Sequence, residues 1–160
     1  MKYAGKQIEG PNVEMVFIPR TDGDLVFKCK AVLDQDYESF ETLCPDPQPP
    51  EVIRPGNIRT PNVADPEYGK QIDEWANKRT AFMILASLSA TDELEWDTVA
   101  MEDPDTWANY KTELQSSGFT AAEIMRIVSG VMSACGMNDD KIDEARERFL
   151  AAQLVAQQSE

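Results

Sequence analysis

The chain has 160 residues, the size of one globular domain with or without a small appendage, and it is 42% apolar and 28% charged, the balance of a soluble protein. Against 15 Lys and Arg stand 29 Asp and Glu, for a net charge of −14, and histidine is absent. The composition excludes His-based nucleophile couples and imidazole metal sites, and it argues against nucleic-acid or anionic-membrane partners, because phosphate backbones repel a surface of this sign.

The start, Met-Lys-Tyr-Ala-Gly-Lys-Gln-Ile, lacks the apolar core of a secretory signal, and no apolar run reaches the ~18 residues that span a bilayer. Cys29, Cys44 and Cys135 are odd in number, widely spread and without a CxxC, so reduced thiols in a cytoplasm fit better than a disulfide framework or a zinc site. The first regular element predicted is a hairpin. Val13 to Ile18 are strand formers, and in residues 25–33 Phe27, Cys29 and Ala31 alternate with Lys28 and Lys30, so one face is apolar. Pro19 to Asp24, with Asp22-Gly23, supply the turn, and the pair needs a third strand or a helix over its apolar face. Asp34, Asp36 and Glu38 alternate like the start of a calcium loop, but Ser39 stands at the glycine position and Pro45 at the glutamate position; the stretch reads as a solvated loop or helix start.

Seven of the ten prolines lie between Pro45 and Pro66, a density that predicts no regular element there. Val52, Ile53, Ile58 and Val63 punctuate it, so it reads as an arm that lies along another surface, with a free linker as the alternative. From there the period becomes helical. Tyr68, Ile72, Trp75, Arg79, Phe82 and Ala86 predict a helix over roughly 67–89. Between Asp92 and Asp105 come seven acids with no Lys or Arg, either a docking face for a basic partner or a solvated loop. Trp96, inside that run, is either an interface anchor or a side chain that pins the loop to the core.

Asp103-Pro104 reads as the start of a second helix carrying Trp107, Tyr110 and Leu114 and ending at Ser116-Ser117-Gly118. Thr120-Ala-Ala-Glu123 is a capping box, and Ile124, Ile127, Val128, Val131, Met132 and Cys135 follow it at i, i+3, i+4, i+7 spacing, with Gly136 as the C-terminal cap. A last helix from Asn138 or Asp139 aligns Ile142, Ala145, Phe149, Ala152 and Ala156, and the final Gln-Gln-Ser-Glu is expected to fray. The predicted fold is therefore α+β and helix-dominated, divided into a hairpin element (1–44), a proline-rich arm or linker (45–66) and a helical domain (67–160) whose last three helices pack around one core. No nucleotide or hydrolase fingerprint occurs, no two carboxylates are singled out by spacing, and the isolated thiols have no activating partner. No enzyme, cofactor or metal site is expected.

Asp103-Pro-Asp-Thr-Trp107, Leu114-Gln-Ser-Ser-Gly-Phe-Thr120, Glu123-Ile124, Ile127-Val128 and Lys141-Ile-Asp-Glu-Ala-Arg-Glu-Arg-Phe-Leu150 together resemble the tail assembly chaperones of long-tailed bacteriophages. The likeness covers residues 103–150, about a third of the chain, and gives the proline-rich arm no role. It implies a non-catalytic protein of the host cytoplasm that holds the tape-measure protein, helps recruit tail-tube subunits and leaves before the particle is finished. Self-association is a separate option that does not come from the likeness. An acidic protein with an adaptable helical surface suits that task, because it keeps an apolar client soluble. The expected client surface lies on the two C-terminal helices, at Ile124, Ile127, Val131, Phe149 and Leu150, with Trp96 as a further partner-binding candidate. The alternatives are a virion structural protein of the neck or tail and an acidic inhibitor of a host protein.

Overall fold

A computed structural model describes residues 1–157. It is α+β and dominated by helices, with three separate two-stranded antiparallel sheets and five helices among the described residues. The first sheet is a minimal hairpin, β1 (Lys2–Tyr3) and β2 (Lys6–Gln7), whose turn places Ala4 and Gly5 at positive φ. β3 (Val13–Ile18) and β4 (Leu25–Lys30) form the predicted hairpin, with Val16 opposite Phe27 and Ile18 opposite Leu25. Its inner face buries Val16, Ile18, Phe27 and Cys29, as the alternation requires.

Of the two readings left open for residues 34–38, the helix start is the one the structure shows, and one expectation for the proline-rich stretch is corrected. Residues 34–43 form a full helix, α1 (Asp34–Leu43), in which the Asp36 carboxylate accepts from the Leu33 N–H at 2.8 Å and so caps the helix instead of standing in a cation loop. Within the proline-rich stretch, β5 (Glu51–Arg54) and β6 (Ile58–Pro61) pair as a hairpin where no regular element was expected. The prolines tolerate it because none lies inside a strand: Pro50 precedes β5, Pro55 sits in the turn and Pro61 ends β6. Gly56 and Asn57, both at positive φ, close that turn. All of β5 is exposed, so this hairpin buries little.

α2 (Pro66–Leu88) opens on Asp65, whose carboxylate accepts from the N–H groups of Glu67 and Tyr68, with Pro66 at the first helical position. Its C-terminal third, Ala81 to Leu88, is buried all round, which makes it the central rod of the fold. On one side, the β3–β4 face and α4 (Ala121–Ala134) close over Met83, Ile84 and Leu88. On the other, Phe40, Phe82 and Trp107 stack with ring centroids 5.2–5.8 Å apart. The hairpin and the helices thus share one core, and Asn12 donates to the Ala134 carbonyl across 122 residues.

Trp107 lies in a turn and not in the expected helix, since α3 begins only at Asn109 (Asn109–Ser116); Thr106 turns back to accept from the Ala100 N–H and donate to its carbonyl, which holds residues 100–106 in a loop. α4 carries the predicted capping box. α5 (Asp139–Gln157) follows Gly136, which takes positive φ. It does not join the core: every side chain described on it, residues 139–152, is exposed. The predicted seam position Ala156 and the expected fraying of the last residues fall outside what the structure describes at the level of side chains or backbone respectively.

Candidate interaction surfaces

The predicted partner-binding residues divide by burial. Ile124, Ile127 and Val131 are 5%, 0% and 0% exposed and pack against Val16, Phe27 and Cys29, so the apolar stripe of α4 is core and the reading of these three residues as client surface is corrected. The physical reason is the hairpin: a two-stranded sheet with an apolar face needs a helix across it, and α4 is that helix. Phe149 and Leu150, at 60% and 50% exposed, remain on the surface. Trp96 is half-buried and packs against both halves of the core, lining a groove of about 670 Å³ together with Leu94 and Met101.

The acidic run around Trp96 is held down at several points. Asp92 pairs with Lys28, Asp105 pairs with Lys78 at 2.6 Å, and Asp103 accepts from the Asp105 N–H. Glu113, from α3, accepts from the N–H groups of Asp97 and Thr98; burial alone would raise its pKa, but these hydrogen bonds outweigh it and hold the carboxyl below its usual range. A comparable clamp fixes the hairpin to α4. Arg20, just past β3, pairs with Glu123, and its guanidinium lies 4.9 Å from the centroid of the Phe119 ring. That pairing, with the Thr120 backbone N–H, lowers Glu123 to a pKa of about 2.

α5 presents the most open surface. Steps of three and four place Ile142, Ala145, Phe149 and Ala152 on one side of the helix, while Asp140, Asp143, Glu144 and Glu147 fall on the opposite side. Lys141 and Arg148, seven apart, border the apolar seam on one flank and Arg146 borders it on the other. Arg146 reaches Asp143 and Arg148 reaches Glu144 at 3.8 Å each, exposed pairs of small energetic value, whereas Lys141 reaches the part-buried Glu14 of β3 at 2.8 Å. Leu150 follows Phe149 by one residue and so sits off the seam, toward the acidic side.

No protein-family model, curated protein or solved structure matches the chain. The assignment of surfaces therefore rests on the geometry above. Among the described residues no three His, Cys, Asp or Glu gather as a metal site would require, and no helix is long and apolar enough to cross a membrane. Sequence reasoning missed the exposed outer face of the β3–β4 hairpin, where Val13, Met15 and Phe17 are about half exposed. The signal was present: β3 is apolar at consecutive positions from Met15 to Ile18, so both of its faces are apolar and only one can be covered by α4.

Proposed function

We propose that this chain is a non-catalytic tail assembly chaperone of a long-tailed bacteriophage, working in the host cytoplasm without a cofactor. In this reading it holds the tape-measure protein and helps recruit tail-tube subunits during tail assembly. The observation that carries the reading is α5, a helix with an apolar seam that its own fold leaves uncovered. A helix standing in water with Ile142 and Phe149 more than half exposed gains by docking on an apolar helical client, as an amphipathic helix does in a groove or a coiled pair. The similarity of residues 103–150 to that chaperone family supports the same direction, and the net charge of −14 favours solubility of a complex with an apolar client.

Co-expression of the tagged chain with the tape-measure and tail-tube proteins tests the reading. Capture of the tape-measure protein, together with absence of the chain from finished particles, is the expected result. Replacing Ile142 and Phe149 by Asp removes about 1.5–3 kcal/mol of apolar burial each and should abolish capture. Stoichiometric presence in finished particles would make the chain a virion structural protein instead, and capture of a lone basic host protein would make it an inhibitor.

A further inference from the structure

The two edges of the β3–β4 hairpin are treated differently by the fold. On the β4 edge, the Lys28 N–H donates to Thr91 Oγ1 at 2.9 Å, the same hydroxyl donates back to the Lys28 carbonyl at 3.1 Å, and Ser87 Oγ donates to the Lys30 carbonyl. Side chains thus stand in for a neighbouring strand. Because the Lys28 backbone points away from β3, its pair with Met15 is of the non-hydrogen-bonded kind, and the alternation of the ladder turns the N–H and C=O groups of Val13, Met15 and Phe17 toward the β3 edge. No hydrogen bond from another described element ends on those groups. An open edge with apolar side chains is a template for one more strand.

Beside that edge runs a groove of about 470 Å³ lined by the flank of α4, with Met125, Arg126, Ser129 and Ser133, and by Glu14 of β3, whose carboxylate is already paired with Lys141 of α5 at 2.8 Å. Ser133 is 9% exposed, and its Oγ is the one buried side-chain polar atom without a hydrogen-bond partner among the described residues. Arg126 is exposed and pairs with no described carboxylate, in a chain where acids outnumber bases by about two to one. We propose that the β3 edge is a docking site for an extended segment of a partner protein, which adds as a third strand, lays alternate side chains on the α4 flank and sets an acidic residue against Arg126. A second copy fits this site less well. Each copy carries a net charge of −14, so two copies repel one another, whereas an acidic residue on a single strand needs only Arg126 as its partner. The proposal is independent of the tape-measure reading, because its readout lies on β3.

The test is a titration of the ¹⁵N-labelled full chain with a capped peptide, Thr-Val-Thr-Asp-Thr-Val-Thr, followed by NMR. The expected result is a set of shifts centred on the Val13, Met15 and Phe17 amides. Met15→Pro removes an edge donor that the β3–β4 ladder does not use, and should weaken the peptide by about tenfold or more. Arg126→Glu, at an exposed position, should reverse the preference toward the same peptide with Lys in place of Asp. An absence of shifts at millimolar peptide, shifts confined elsewhere, or an Arg126→Glu chain that keeps the Asp preference would overturn the proposal.

Discussion

Gly130 lies where α4 passes close over Val16 of β3. A methyl group built there would lie 2.3 Å from Val16 Cγ2 and 3.3 Å from Cys29 Sγ. Ordinary carbon contacts are about 3.5–4.0 Å, so Gly130→Ala requires the branched Val16 side chain, or the strand that carries it, to give way by more than an ångström. Overpacking of this kind costs about 1–3 kcal/mol, against a gain of about 1 kcal/mol from replacing glycine inside a helix. The two terms leave a net loss of up to about 2 kcal/mol, and so a fall in Tm of up to about 8 °C, in a domain of this size. Gly69→Ala is the control. It is also helical, in α2, but has nothing within 4 Å of the added methyl, so there the helix term acts alone and Tm should rise by about 2–4 °C. Thermal unfolding followed by circular dichroism reads both, and the double variant Gly130→Ala with Val16→Ala should recover at least about 1 kcal/mol relative to the sum of the singles. If Gly130→Ala stabilised as much as Gly69→Ala, or if the double variant were additive, the close approach would be wrong.

Further outcomes follow from the same structure. Glu123, ordinarily at pKa 4.5, is held at about 2 in the folded state, so its pairing stabilises the fold above pH 4.5 and is lost as pH falls toward 2; the stability gap between the wild type and Glu123→Gln should close across that window in acid titrations, and a gap independent of pH would refute it. Burial pushes the Cys29 thiol up to about 11, and the side chain is fully covered, so a thiol reagent at pH 8 should label Cys44 and Cys135 first and Cys29 only as the molecule opens. A single fast phase for all three would contradict the core placement. Trp107→Ala should cost about 3–5 kcal/mol, since the ring is fully buried between Phe40 and Phe82. Ile142→Asp with Phe149→Asp should leave Tm nearly unchanged, because neither side chain supports the body; a large drop would mean that α5 packs on it.

The elements legible in the sequence are those whose local chemistry and long-range packing agree. The 120–135 helix has its capping box, its stripe and its glycine stop, and all three are present in α4. The β3–β4 alternation likewise names Phe27 and Cys29 as buried, while Ala31, which it also placed on that face, lies past the end of β4 and is only partly covered. What the sequence hid is the destination of each apolar stripe. The stripe of α4 and the seam of α5 look alike in periodicity, yet one is covered by a hairpin more than a hundred residues away and the other by nothing described. α1 was obscured because its composition is polar and it buries only Phe40, so there is almost no stripe to read. The β5–β6 hairpin was obscured by counting prolines without asking where in a strand each one falls.

The shared core also fixes when this protein can fold as it is made. Val16, Ile18, Phe27 and Cys29 leave the ribosome early, but the residues that cover them, from Ile124 to Ala134, come last among the core positions. Until α4 has emerged the hairpin has α2 beside it but lacks the helix that covers Val16, and a two-stranded ribbon covered only in part is marginal in water. Nascent chains stalled before residue 121 should therefore expose that apolar ribbon to chaperones and proteases, and protection should arrive in one step with α4 instead of accumulating strand by strand.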